Sequence, residues 1–148
     1  MADHAPRLFT TDAEIRRIGI GLLDRSLPRP DWTHEAHLAA CFWVVSERPD
    51  IDPDRDLRGI ISGYNAAVGG VNDDTQGYHE TITRCFIRAV RLHLAATEDT
   101  LVVRVNSLLV SPYGNRGWPL AFYSRAHLFS VAARRDFVEP DLAPLPAL

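Results

Sequence analysis

Apolar residues recur at helical spacing in five long stretches of the chain, and most of these stretches carry recognisable start or stop signals. Thr11-Asp12-Ala13-Glu14 reads as a capping box, in which threonine and glutamate satisfy each other's free backbone N–H groups. Ile15, Ile18, Leu22 and Leu23 then mark one face, Arg16, Arg17, Asp24 and Arg25 the other, and Pro28 and Pro30 end the helix. Asp31-Trp32-Thr33 opens a second helix that runs to about Glu47. Its middle, residues 38–45, is apolar on nearly every side, which predicts a central position.

A third helix begins with Asp52 as cap and Pro53 at its first position, presents Leu57, Ile60, Ile61 and Tyr64 on one stripe, and stops at Gly69-Gly70. The fourth spans about 78–96. Its inward stripe is His79, Ile82, Phe86, Ala89 and Val90, with His93 assigned to packing or surface and Arg84, Arg88 and Arg91 outside. A fifth, about 98–109, turns Leu101, Val105, Leu108 and Leu109 inward. Beyond Pro112 the periodicity breaks into a turn-rich loop, two short helices over 124–129 and 130–135, and a tail whose Pro140, Pro144 and Pro146 keep it extended. The expectation is one all-α domain over residues 1–148: a bundle of about five helices with a proline-rich C-terminal extension built from short helices.

Composition narrows the function classes. A net charge of −3 leaves no electrostatic footprint for nucleic acid or an anionic membrane. No apolar run approaches the roughly 18 residues of a membrane span, and the N-terminal residues lack a signal-peptide pattern, so a cytoplasmic location is expected. All 16 basic residues are arginine, which reads as compositional bias. The two cysteines, Cys41 and Cys85, sit inside apolar helical patterns and are expected as reduced core thiols.

The candidate chemistry lies in histidine. His34 and His37 are three apart on one face of the second helix, and His79 opens the fourth on the stripe of Ile82 and Phe86. If the second and fourth helices run parallel, separated by the third, the three imidazoles converge at one end of the bundle. Ligands three or four apart on one helix can share a metal with a ligand from a facing helix, which makes His34, His37 and His79 candidate metal ligands. The His34-Glu35-Ala36-His37 spacing is one residue too tight for the His-Glu-x-x-His protease pattern. Glu80 is a candidate fourth ligand or general base, although Arg84 one turn on gives it an ordinary surface partner. His127 is a candidate fourth ligand or acid. Tyr64, Tyr78, Trp118, Tyr123 and Arg116 are candidates for a pocket lining.

Trp32-Thr33-His34 with His37-Leu38, then residues 77–84, then Tyr123-Ser124-Arg125 and residues 137–142, resemble a family of small uncharacterised bacterial proteins, which implies no particular reaction. The histidine placement is also similar to DinB-like helical bundles. That similarity implies a divalent metal held by three histidines, but this chain lacks their C-terminal His-x-x-x-His pair.

Three functions follow as expectations. The first is a mononuclear metal-dependent enzyme acting on a small organic molecule, its ligands suiting zinc, iron, manganese or nickel alike. The second is a metal-free acid–base enzyme, a cyclase or isomerase, using His79 and Glu80. The third is a non-catalytic helical ligand-binding module, its histidines fixing helix ends. All three expect a small-molecule partner, and none a nucleic acid or a membrane.

Overall fold

The five long stretches fold as helices: α1 Asp12–Leu23, α2 His34–Glu47, α3 Pro53–Ala67, α4 Glu80–Ala96 and α5 Leu101–Val110. Two short helices follow, α6 Arg125–Leu128 and α7 Val131–Arg135, with single 3-10 turns at Arg29–Asp31, Pro112–Gly114 and Trp118–Ala121. The computed structural model describes residues 5–148, so His4 lies outside the described residues. Among them the architecture is all-α with no strand, and no helix is long and apolar enough to cross a membrane.

The caps of the first and third helices are the expected residues, although Glu14 accepts from Thr10 N–H at 3.4 Å and not from Thr11, so the capping box is not reciprocal. Thr11 and Asp52 accept from Glu14 N–H and Asp54 N–H at 3.2 and 3.1 Å, so α1 and α3 start where their caps require. The second helix starts later than its pattern suggests. Pro28 and Pro30 draw the chain into a 3-10 turn, and Thr33, accepting from Ala36 N–H at 3.1 Å, becomes the cap. The fourth also starts later, at Glu80, because His79 is its cap rather than a member of its first turn.

Helix α2 is the centre, as its unbroken apolar middle requires. Residues from Leu38 to Val44 are buried, packed against α1 on one side and α4 on another. The α1–α2 approach depends on Gly19: a Cβ there would fall inside van der Waals contact of the Trp43 ring.

Helix α4 is covered on two sides. Ile87 and Val90 join the main core with Phe42, Leu57 and Val105, while Cys85 and Ala89 pack against Trp118, Tyr123 and Leu128 of the C-terminal third. That third is strapped to α4 through its backbone carbonyls: Thr81 Oγ1 donates to Asp136 O at 3.0 Å and Arg88 Nη1 to Pro146 O at 2.7 Å. Arg84 and Arg91, expected outside, are half-buried and reach across to Asp54 of α3 at 3.2 and 2.9 Å. Cys41 and Cys85 are free and buried.

Candidate functional site

Between the N-terminal halves of α2 and α4, with α3 as the third wall, lies a cleft of two adjoining chambers of about 350 and 370 Å³. Trp32, His37, Ile61, Ile82 and Thr83 line both and form the waist. The first chamber is walled by Leu38, Cys41, Leu57 and Phe86, with His34 and Arg116 as its polar groups. Asn65, Tyr78, His79 and Arg134 supply the polar side of the second, with Phe129 at its edge. Volumes of this size and a largely apolar lining with a few polar groups are ordinary for a small-molecule site.

His37 is held from both sides. Its Nδ1 lies 2.7 Å from Thr33 O, and its ring stacks on Trp32 with centroids 3.7 Å apart. A carbonyl only accepts, so Nδ1 carries the proton and Nε2 the lone pair. The ring remains accessible although protein surrounds it, because its open surface is the cleft itself. Burial drives its pKa down to about 4, with the Thr33 hydrogen bond opposing and the charge of Arg116 adding to the fall. At neutral pH it is an oriented, uncharged imidazole.

His34 repeats this arrangement with the ring nitrogens exchanged. Its Nε2–H donates to Gly114 O at 2.8 Å, leaving the lone pair on Nδ1, and its ring meets Phe86 edge-on at 5.4 Å. Burial lowers its pKa, opposed by the bond to Gly114. That bond also ties the Pro112–Gly114 turn to the start of α2, which brings Arg116 to the mouth of the first chamber.

His79 has a different task. Its Nδ1 accepts from Ile82 N–H at 3.1 Å and its Nε2–H donates to Leu128 O at 2.8 Å. One imidazole thus caps α4 and anchors α6, and both nitrogens are engaged. It faces the second chamber with no lone pair to offer a metal. Burial lowers its pKa as well. All three histidines therefore border one cleft, but not as a three-ligand set: among the described residues no group of three or more His, Cys, Asp or Glu is arranged to hold a metal ion.

Glu80 lies behind the cleft wall. It is buried, accepts from Tyr78 Oη at 2.6 Å, and has Arg58 and Arg84 each at 3.5 Å. The expected Arg84 partner is present, but the surface position is not, because the C-terminal third closes over the start of α4. His127 lies outside both chambers. Its Nε2–H donates to Glu139 O at 2.8 Å and its ring stacks on Tyr123, so it holds the tail.

Of the five residues expected to line a pocket, Tyr78 and Arg116 do, whereas Tyr64, Trp118 and Tyr123 are core. Cys41 lines the first chamber but stays a thiol, since burial pushes it up to about 12. Phe129 and Arg134 carry no sequence signal that marks them, coming from a C-terminal third without clear periodicity. The one feature that announces the cleft is the deficit on α4, where Ile82 and Phe86 are only half-buried on a stripe that reads as core. No protein-family model, curated protein or solved structure matches the chain.

Proposed function

We propose that this protein binds a small organic molecule in the cleft and acts on it by metal-free acid–base chemistry, with His37 and His34 as the proton-handling groups. One observation carries the reading: His37 lines both chambers, neutral, with its orientation fixed through Nδ1 and its Nε2 lone pair uncommitted. A base must be in its unprotonated form and aimed before substrate arrives; burial keeps His37 unprotonated, and the Thr33 carbonyl and the Trp32 ring aim it. His34, one turn away, offers a second lone pair from Nδ1. Proton removal by the His37 Nε2 lone pair, and return of that proton from the same Nε2–H to a neighbouring atom of the ligand, is a one-base step of the kind that an isomerase needs. Glu80 and His79 act here as supports, the first behind Tyr78 and the second as cap and anchor. Two free, buried cysteines fit a cytoplasmic location.

The test is a library of small organic molecules screened by methyl and indole NMR. Binders are expected to shift the signals of Trp32, Ile61 and Ile82 together, and an Ile61→Trp variant, which fills the waist, is expected to lose them. Binders that leave those three signals unmoved would remove the reading.

A metal-dependent enzyme is the second reading, favoured by the lone pairs of His34 and His37 at i and i+3 on one cleft wall. These two residues would be the protein's ligands, and zinc, iron, manganese or nickel would supply Lewis-acid chemistry there. Metal analysis of untagged protein separates the two readings. Near-stoichiometric metal that is lost in His34→Ala and in His37→Ala would replace the acid–base reading.

A further inference from the structure

Charge is distributed unevenly around the cleft. Among the described residues no carboxylate lines either chamber. The first chamber's one charged lining residue, among the described residues, is Arg116, which is exposed and forms no ion pair with any of them. Most other arginines are engaged by carboxylates or carbonyls, as Arg16 is by Glu47 and Arg135 by Asp74. Glu35, whose carboxyl feels the Arg116 charge, accepts from Arg7 N–H at 3.4 Å and lies outside the wall. Arg134, in the second chamber, already donates to the Gly77 and Tyr78 carbonyls at 3.0 and 3.3 Å.

Position matters as much as charge. Arg116 lies two residues past a turn pinned by His34 through Gly114, which places it on the lining of the chamber beside the apolar wall of Leu38, Cys41 and Phe86. A guanidinium presents a planar fork that fits a carboxylate bidentately, and the strength of such a pair rises beside low-dielectric walls. The two neutral imidazoles next to it neither repel an anion nor compete for it.

We propose that the ligand is a small organic monoanion, an aryl or alkyl carboxylate, whose carboxylate pairs with Arg116 while its apolar body fills the first chamber. This rests on the cleft being the binding site and adds the class of molecule it takes. In an alkyl or arylalkyl carboxylate this would place the C–H next to the carboxylate towards His34 and His37.

Benzoate, phenylacetate and hexanoate, each against its uncharged amide, test the proposal by NMR titration of wild type, Arg116→Gln and Arg134→Gln. In wild type each carboxylate is expected to bind about tenfold more tightly than its amide, with shifts at Trp32, Ile82 and Phe86. Arg116→Gln is expected to bring each pair within about threefold while the amides keep their affinity, and Arg134→Gln to leave the preference in place. Acid and amide binding equally well with shifts at those cleft residues would overturn the anion inference and leave the cleft reading standing. A preference removed by Arg134→Gln instead would overturn the assignment to Arg116. No shift at the cleft from any of the six compounds would overturn both.

Discussion

Two histidines in this chain face a cleft and a third, at its edge, does structural work, and the difference comes down to which ring nitrogen meets a backbone group. His37 and His34 each spend one nitrogen on a carbonyl, while His79 spends both, on Ile82 N–H and Leu128 O. Because burial lowers the His37 pKa to about 4, against about 6.5 in an unfolded chain, the unfolded state takes up the proton first. Its contribution to stability is therefore complete above about pH 6.5 and declines as pH falls from there towards 4. A ring ¹⁵N titration is expected to find His37 still neutral and Nδ1-protonated at pH 5. A midpoint at or above 6 would contradict the assigned environment. For His79, replacement by alanine removes a cap and strands the Leu128 carbonyl, so a loss of about 1–3 kcal/mol is expected in urea unfolding. His79→Asn, which restores a capping oxygen, should recover about half of it. Equal losses in the two variants would mean that capping contributes little. The sequence marks His79 as chemically special without saying why, because an imidazole that caps a helix and one that binds a ligand occupy the same kind of position at a helix start.

At the scale of elements, the long helices were legible and their surroundings were not. Alternation and caps locate α1 and α3 almost to the residue, since Thr11, Asp52 and Pro53 act through neighbours along the chain. Periodicity gives the faces of α1 correctly because only one side of it is covered. For α4 it places Ala89 and Val90 inside correctly but misses the second cover, under which Cys85 packs against the C-terminal third while Ile82 and Phe86 border the cleft. No local pattern announces that second cover, so Glu80 reads as a surface residue and is buried. The fit between α1 and α2 is equally hidden in sequence, since Gly19 looks like an ordinary helical glycine until the Trp43 ring is seen against it. Gly19→Ala would raise intrinsic helix propensity and yet push the helices apart. A net destabilisation of about 1–3 kcal/mol is expected by thermal or chemical unfolding, and a stabilised variant would show that the contact yields easily.

For the whole molecule, the central helix carries both the core and the site. The first turn of α2 presents His34 and His37 to the cleft, and the next turns bury Leu38 to Val44, so the imidazoles stand on the most firmly packed element of the fold. Helices α3 and α4 close the other walls, and the C-terminal third contributes the two cations, Arg116 and Arg134, one to each chamber. A bundle with histidines meeting at one end was legible from stripe and spacing. The division of labour among them required the carbonyls of Thr33, Gly114 and Leu128, two of which come from segments far away in the chain. The most direct measurement is the ring ¹⁵N spectrum of His37 with and without a saturating cleft binder. Nδ1 is expected to stay protonated in both spectra while the Nε2 resonance moves as its lone pair is engaged. An Nε2 resonance unchanged at saturation, or an Nε2-protonated ring in the free protein, would contradict the proton-handling role of His37.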